Sequence, residues 1–301
     1  MKPAPFFDLH LHSNYSSDGE WTVDRLFSKA EELGIIALAI SDHDTVAALQ
    51  HRPEIEHRFP SVEWIPNVEI SSALGEKELH LLAPFVDYKS PVLIQLLSRI
   101  HNRRDEQARG RMERLRAIGI EVTEEEVRIR FGHLPITGPA IAHTVLEKYR
   151  KNPLPVLLPY LQGEKKSQAE SSFYRDFFSR GKSAHVPKTE LAASEAISVV
   201  RSLGGVPVLA HPGARFTQVD ERLIAQLKEM GLEGLEVWTS YHDSLKAQYY
   251  LAIAESLDLI GTAGSDFHGR AKPNVEFGSI RQGTPAILAE LRKRSKDYCN
   301  A

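Results

Sequence analysis

Cysteine is almost absent from this chain: Cys299 is the only one among 301 residues. A single cysteine cannot form an intramolecular disulfide, and a metal site built from several thiolates is excluded. No apolar run reaches the ~18 residues that a membrane-spanning helix needs. The first residues, in which "PFF" leads straight into Asp8, lack the charged-then-apolar pattern of a signal peptide. These absences predict a cytoplasmic protein with no membrane partner.

An excess of positive charge is also missing. The chain has 37 Lys and Arg against 40 Asp and Glu, which gives a net charge of −3. Without a basic field to attract phosphate backbones, no stable nucleic-acid complex is expected. The contents of hydrophobic (42%) and charged (26%) residues are typical of a globular protein. The length permits one large domain, or one domain that carries an insertion.

Short apolar runs alternate with amphipathic stretches along most of the chain. The run "FFDLHLH" predicts a strand, and "TVDRLFSKAEELG" predicts a helix that Thr22 caps and Gly34 ends. A buried strand, "IIALAIS", comes next, and the same alternation returns between "SEAISVVRSLGG" and "LIGTAGSDFHG". Strands that alternate with helices favour an α/β fold with a parallel sheet or barrel.

The middle of the chain breaks this alternation. Residues 99–184 are rich in charge and poor in strand-like runs. The stretch "RIHNRRDEQARGRMERLRAIG" predicts one long helix that ends near Gly119, and "TEEEVRIRF" predicts another. We therefore expect a mostly helical insertion at 99–184 that covers the active site of a core formed by 1–98 and 185–301.

Two histidines two residues apart, in "DLHLHS", raise the first question about function. On a strand His10 and His12 point to the same side, where two imidazoles can reach one ion. Asp18 follows on a turn marked by serines and Gly19. An isolated pair of this kind is usually an exposed pair on an edge strand. These two histidines therefore do not by themselves establish a metal site, and the rest of the sequence has to be considered.

Further residues of the ligand type recur where the predicted strands end. They follow "IIALAIS", end "EWIPNVE", lie within "ELHLLAPF", end "VPVLAH" and follow "LIGTAGS". In α/β barrels and doubly wound sheets, functional residues gather at the carboxyl ends of parallel strands, so these side chains are expected to meet. The candidate metal ligands are His10, His12, Asp18, His43, Glu69, His80, His211, Asp266 and His268.

A set of histidines and carboxylates suits zinc, manganese or iron. Nine ligands are too many for one tetrahedral ion, but with a bridging carboxylate they suit two or three ions. Clustered divalent ions favour phosphoester hydrolysis, because they supply hydroxide near neutral pH and stabilise both the attacking and the leaving oxygens. The pattern therefore predicts a metal-dependent phosphoesterase.

The ordered motifs "DLHLHS", "SDG", "SDHDT", "VEIS", "HLL", "AHPG" and "GSDFH" resemble the PHP (polymerase and histidinol phosphatase) family. The chain is similar to its stand-alone bacterial phosphoesterases, within the wider amidohydrolase-like group. The resemblance covers roughly 1–98 and 185–285, and the helical insertion matches the nucleotide-phosphatase branch. It implies a distorted (β/α)7 TIM-like barrel with a trinuclear metal site.

The resemblance also implies which residues hold each ion. The first ion would be held by His10, His12, Glu69 and Asp266. The second would be held by His80 and His211 with Glu69 as a bridge, and the third by Asp18, His43 and His268. Asp8 and Asp42 would orient imidazoles, although they also suit the capping of strand ends.

The expected reaction is hydrolysis of a phosphomonoester, of nucleotide type, by a hydroxide that bridges the first two ions. Asp266 or His211 is expected to protonate the leaving alkoxide. Two alternatives stay open: a phosphatase for a small non-nucleotide ester such as histidinol phosphate, and a non-catalytic metal-binding module. The complete ligand set argues against the module.

The region predicted to bind the substrate departs from the pattern of the nucleotide-phosphatase branch. Gly138 and Ala140, in "ITGPAIAH", stand where the branch usually has an Arg and a His. Weak hydrolysis of 3′,5′-nucleotide bisphosphates is therefore expected. Arg215, Arg270 and His242 are the predicted substrate contacts, since they flank or follow the metal motifs. The arginines between 103 and 111 suit either contacts with a phosphate group or a solvent-exposed helix face.

Overall fold

A computed structural model describes residues 5–16, 18–132, 136–187 and 189–299. Its strands are β1 (Phe6–Leu11), β2 (Ile35–Ile40), β3 (Glu63–Trp64), β4 (Glu69–Leu74), β5 (Lys77–Leu82), β6 (Val208–Leu209), β7 (Gly234–Thr239) and β8 (Ile260–Gly264). Its α-helices are α1 (Val23–Leu33), α2 (Arg52–Arg58), α3 (Pro91–Ala117), α4 (Glu124–Phe131), α5 (Gly138–Lys148), α6 (Leu158–Leu161), α7 (Ala169–Phe173), α8 (Ala193–Ser202), α9 (Glu221–Glu229), α10 (Ser244–Ser256) and α11 (Pro285–Cys299).

The strands form two sheets, and the fold is of the α/β class, as predicted. One sheet has the order β1-β2-β3 and is parallel throughout. The other has the order β4-β5-β6-β7-β8, in which β6, β7 and β8 are parallel. Helices connect the parallel neighbours, because a parallel pair needs a long crossover between its strands.

The strand β5 runs antiparallel to both of its neighbours, which the alternation pattern did not predict. The chain between β4 and β5 is a short turn at Gly75, and a turn this short can join only antiparallel strands. Leu81 of β5 then pairs with Leu209 of β6. His80 consequently lies within an antiparallel strand rather than at the carboxyl end of a parallel one.

Two isolated bridges link the two sheets. Leu11 at the end of β1 pairs in parallel with Phe267, just after β8. His43, just after β2, pairs in parallel with Glu69 at the start of β4. These bridges bring the ends of β1, β2, β4 and β8 next to one another.

Local sequence signals explain several helix ends. Thr22 caps α1 by accepting a hydrogen bond from Arg25 N, and Gly34 ends the helix in a left-handed conformation, as predicted. Thr123 begins α4 with a capping box, in which its hydroxyl accepts from Glu126 N and the Glu126 carboxylate accepts from Thr123 N. The long helix α3 begins at Pro91, earlier than the charged stretch indicated.

The chain divides into two compact units. Unit 1 comprises Met1–Ser98 and Glu190–Ala301, and unit 2 comprises Arg99–Thr189. The predicted insertion, 99–184, falls within unit 2. In the described part of the chain, no helix has the length and apolarity needed to cross a membrane.

Each unit has apolar cores of its own. In unit 1, Phe27 and Trp64 pack in a cluster behind β1 and β2, and Phe7 belongs to a second cluster with Leu9. In unit 2, a separate cluster joins α3 to α5 and to the segment after α7. Its members include Met112, Leu115, Ile141, Val145, Phe173 and Phe178.

Candidate metal centre

The predicted ligands come together in unit 1. Three groups have ligand atoms that all lie within 4.8 Å of one another. They are His10, His12, Glu69 and Asp266; His43, Glu69 and His80; and His12, Asp18, His43 and His268. His211 stands outside these groups, but its Nε2 atom lies 3.1 Å from Glu69 Oε1.

The Glu69 carboxylate is the centre of the cluster. Its Oε2 atom lies 3.1–3.2 Å from ring nitrogens of three histidines, and its Oε1 atom lies 2.8 and 3.1 Å from those of two others. The five imidazoles belong to His10, His12, His43, His80 and His211. The side chain is fully buried, so a single carboxylate faces five imidazoles with no access to water.

Asp266 and Asp18 face the same cluster from two other directions. Asp266 Oδ1 lies 3.2 Å from Nε2 of His10 and 3.2 Å from Nε2 of His12. Asp18 Oδ2 lies 3.3 Å from His268 Nε2 and 3.6 Å from His43 Nε2. Each pair of imidazoles therefore faces one carboxylate oxygen, and such groups of nitrogen and oxygen atoms could hold a metal ion.

The backbone around the strand ends fixes these positions. Asp266 N donates to His10 O at 2.7 Å, and His12 N donates to Phe267 O at 2.9 Å. Asp266 and His211 have left-handed backbones, with φ of 56° and 29°. Such conformations are uncommon for residues other than glycine and persist only where the surroundings impose them. The fold thus holds two candidate ligands in strained positions.

Several candidate ligand atoms have no hydrogen-bond partner. This observation bears on whether the cluster can bind metal ions. Among the described residues, the buried atoms without a partner include His43 Nδ1, Glu69 Oε2, His80 Nδ1, Asp266 Oδ1 and His268 Nε2. Buried polar atoms in proteins are normally hydrogen-bonded. Unpartnered imidazole and carboxylate atoms that point at one another match the ligands of zinc, manganese or iron, so the residues fit divalent ions.

The charges of the cluster favour a cation. Burial alone would raise the pKa of Glu69, but His43 and His10 lower it well below its ordinary value. The pKa of Asp266 is lowered in the same way, mainly by His10. Burial alone would lower the pKa of His12, yet the neighbouring carboxylates of Asp266 and Glu69 raise it to about 9. The carboxylates stay ionised and attract positive charge.

A carboxylate that the sequence analysis missed, Glu236, orients two of the histidines. It lies on β7 and is fully buried. Its Oε1 atom lies 3.0 Å from His10 Nδ1, and its Oε2 atom accepts from His211 N at 2.7 Å. The opposite nitrogen of the His10 ring then faces Glu69 and Asp266. The signal in the sequence was an acidic residue inside the apolar run "LEGLEVW".

Asp8 and Asp42 hold backbone and serine groups rather than imidazoles. Asp8 Oδ1 accepts from Ser265 N and from His10 N, and burial raises the pKa of Asp8 to about 6. Asp42 accepts from both the N–H and the hydroxyl of Ser13. Both carboxylates stabilise strand ends that carry ligands, which matches the capping alternative.

Tyr241 and Lys272 contact the outer oxygen of Asp266. The Tyr241 hydroxyl donates to Asp266 Oδ2 at 2.7 Å, and Lys272 Nζ donates to the same atom at 2.5 Å. Burial and the nearby carboxylate raise the pKa of Tyr241, so it stays protonated. An ammonium group therefore lies beside the metal centre, although the sequence analysis did not select it.

The three predicted substrate contacts lie in different surroundings. His242 is held by the backbone, with Nδ1 2.8 Å from Val237 O and Nε2 accepting from Gly213 N. Arg270 is 91% exposed and pairs with Glu20. Arg215 is exposed in the loop after β6. The structure does not bring His242 or Arg270 into the cluster, and a substrate contact by Arg215 stays a prediction.

Comparison with known proteins places the chain in a family. The model of the PHP domain matches residues 8–122. The 5′-3′ exoribonuclease Rnm of Escherichia coli is 30% identical over 91% of this chain and 89% of its own length. The phosphoribosyl 1,2-cyclic phosphate 1,2-diphosphodiesterase of Eggerthella lenta is 30% identical over 90% of this chain and 97% of its own length.

A solved structure is similar over almost the whole chain. It comes from Bifidobacterium adolescentis and is assigned as a metal-dependent phosphoesterase. It is 25% identical, covers 98% of both chains and superposes with a TM-score of 0.76. With the buried cluster of histidines and carboxylates, these matches show that the chain belongs to the PHP family and is a metal-dependent phosphoesterase.

Proposed function

We propose that the protein hydrolyses a phosphate ester of a nucleotide-type substrate and uses three divalent ions, of manganese, zinc or iron. The proposal rests on the contact of the Glu69 carboxylate with five imidazoles. The ring nitrogens and carboxylate oxygens that face one another here are the atoms that bound divalent cations would use as ligands.

Each ion has a proposed set of ligands. The first set is His10, His12, Glu69 and Asp266; the second is Glu69, His80 and His211; the third is Asp18, His43 and His268. The contacts of Glu69 on both of its oxygens support its role as the bridge. Divalent ions held in these sets would activate water and stabilise the charge that develops on the phosphoryl oxygens.

The residues themselves orient the ligands and donate protons. Glu236 keeps the His10 ring turned toward Glu69. Because Asp266 has a strongly lowered pKa and accepts two hydrogen bonds, it acts as a ligand rather than as the proton donor. His211, the other predicted donor to the leaving alkoxide, is itself a proposed ligand of the second ion, so the assignment of the donor stays a prediction.

The fold supports a closed barrel in unit 1 and a separate helical unit. The bridge Leu11–Phe267 joins the edge strands β1 and β8, and His43–Glu69 links the end of β2 to the start of β4, which supports closure into a distorted (β/α)7 barrel. All nine proposed ligands belong to unit 1. We therefore infer that unit 1 performs the chemistry and that unit 2 sets the choice of substrate. The protein is proposed to act in the cytoplasm.

The names of the relatives indicate the class of substrate. The Escherichia coli relative is an exoribonuclease, and the Eggerthella lenta relative acts on a phosphoribosyl cyclic phosphate. Both names describe phosphate esters of ribose compounds. A 5′-3′ exoribonuclease activity on short RNA is the second candidate, since the Escherichia coli relative covers 91% of this chain. Transient binding of RNA ends is compatible with the prediction of no stable nucleic-acid complex.

A panel of phosphate esters tests the proposal. Protein loaded with manganese would be incubated with a nucleoside 3′,5′-bisphosphate, a 5′-phosphorylated RNA oligomer, a ribose cyclic phosphate, histidinol phosphate and p-nitrophenyl phosphate. We expect the highest kcat/KM on one of the first three. A preference for histidinol phosphate would support the small-ester alternative, and three bound ions without turnover of any ester would support a non-catalytic module.

A further inference from the structure

Phe216 is an exposed aromatic side chain beside the metal centre of unit 1. It lies in the loop after β6, and 59% of its surface is open to solvent. Single exposed apolar side chains are common on protein surfaces, so exposure alone indicates nothing. Two other aromatic side chains of the described residues are exposed, and their rings lie elsewhere. Phe131 contacts His143. Tyr249 contacts Tyr250.

Three rings of the site lie beside Phe216. Its ring centre is 5.1 Å from that of His211 and 6.5 Å from that of His80. The Tyr241 ring is 5.5 Å away and at 89° to it, a favourable edge-to-face arrangement. His211 Nε2 and His80 Nδ1 face Oε1 of Glu69, at 3.1 and 2.8 Å. Phe216 therefore borders the proposed second ion, and more than half of its surface stays available to a ligand.

The loop that carries Phe216 is fixed on both sides of the ring. Thr217, the next residue, is buried, and its hydroxyl lies 3.3 Å from Nδ1 of His211. Further along the loop, the Tyr250 hydroxyl donates to Val219 O at 3.0 Å. A side chain that is positioned before binding loses less conformational entropy when a ligand contacts it. The loop thus presents an apolar ring to solvent at the edge of a polar site.

We propose that Phe216 is a stacking surface for the nucleobase of the substrate, which assigns base-bearing nucleotides, rather than ribose phosphates without a base, as the substrate class. The inference rests on the proposed function, because it assumes a phosphate ester bound at the metal centre. In a nucleotide the ribose separates the base from the phosphate, so a base can lie against a ring that borders the ions. Every base has a π face, so the contact should accept different bases.

Calorimetry with two phosphonates tests for a contact with the base. The 5′-phosphonate analogues of AMP and of ribose 5-phosphate differ only by the base, and their C–P bonds resist hydrolysis by manganese-loaded protein. The wild type and Tyr249→Leu, which loses an exposed ring of the same unit, should bind the adenosine compound more tightly than the ribose compound. Removing the ring that stacks on a base costs about 5- to 150-fold in affinity. Phe216→Leu should show this loss for the adenosine compound alone. A wild type that binds the two compounds alike, or binds neither, would overturn the inference.

Metal affinity separates stacking from a packing role beside His211. If Phe216 only shields this ligand, Phe216→Leu should bind manganese more weakly in competition with a chelator and lose affinity for both phosphonates equally, which would contradict the inference. Phe216→Trp, with a larger aromatic face, should retain tight binding of the adenosine compound. Binding that depends on the base and on Phe216, without hydrolysis of any ester, would refute the proposed function and support this inference. Hydrolysis of nucleotides that is unchanged in Phe216→Leu would do the reverse.

Discussion

The Oε1 atom of Glu236 lies 3.0 Å from Nδ1 of His10, and both side chains are fully buried. Gly264 on the next strand makes this contact possible, since a Cβ atom there would lie 2.5 Å from Glu236 Oε1. Hydrogen bonds of this kind fix the orientation of an imidazole and make it a better ligand. Glu236 therefore determines how His10 faces the metal centre, although it is not proposed as a ligand.

Glu236→Gln should weaken the binding of one metal ion by about 10- to 100-fold and leave the fold intact. Glutamine keeps the size of the side chain but loses the negative charge that strengthens the bond to His10. Titration with a competing chelator measures the metal affinity, and thermal unfolding reports on the fold. Glu229→Gln, on the exposed end of α9, is the control. Unchanged metal affinity in Glu236→Gln would show that the contact only packs the site.

Glu69→Ala should remove two ions together. A bridging carboxylate serves two ions about 3.5–4 Å apart, and without it they repel each other. Elemental analysis of the manganese-loaded wild type should give close to three ions per chain, and that of the variant one. Turnover should fall by orders of magnitude. A variant that keeps all its metal, or near-normal turnover, would disprove the assignment of the bridge.

The sequence predicted which side chains meet in the cluster, because most of them stand at or just after strand ends with a recognisable pattern, and their roles as ligands stay a prediction. The caps of α1 at Thr22 and Gly34 were predicted for the same reason: their signals are local. Glu236 was missed, since its partner His10 lies 226 positions away and an acidic residue in a strand usually marks a solvated face. The antiparallel β5 was missed although its signal is local: the two-residue turn at 75–76 has Gly75, with a positive φ, at the first position, where a hairpin favours glycine.

Lys272→Met should reduce kcat/KM for the preferred phosphate ester by about 10-fold or more. Its ammonium group lies 2.5 Å from Asp266 Oδ2, beside the metal centre. We expect it to donate to a phosphoryl oxygen of the bound ester, and such a charge-assisted hydrogen bond is worth about 1.5–3 kcal/mol. Arg270→Met is a matched control, because this cation of the same loop pairs with Glu20 instead. Equal effects of the two substitutions would argue against a specific role for Lys272.

The branch's Arg and His are missing at positions 138 and 140, so Gly138→Arg with Ala140→His would on that ground be expected to improve hydrolysis of a nucleotide bisphosphate. The structure reverses this expectation, since a side chain at 138 would displace Tyr174 and Arg111. The double variant should therefore have a lower melting temperature and lower activity on the bisphosphate. Differential scanning fluorimetry and steady-state kinetics test both. Ala140→His alone separates the two positions, and a gain of activity in the double variant would refute the steric argument.

Asp176 should make the stability of the protein depend on pH in the acid range. Lys165 Nζ lies 2.7 Å and the Tyr160 hydroxyl 2.8 Å from Asp176 Oδ2, and these hydrogen bonds lower the pKa of the carboxyl. A group with a lowered pKa in the folded state contributes stability above its unfolded pKa of about 3.9, and this contribution is lost as the pH falls through the folded pKa.

The pair is partly exposed, so we expect Asp176→Asn to reduce the free energy of unfolding at pH 7 by roughly 0.2–1 kcal/mol. The difference from the wild type should disappear when the carboxyl is protonated at low pH. Urea denaturation of metal-stripped protein at a series of pH values measures it, and Glu164→Gln, an exposed carboxyl of the same segment, is the control. A difference that stays constant down to low pH would mean that the aspartate contributes through packing rather than through its charge.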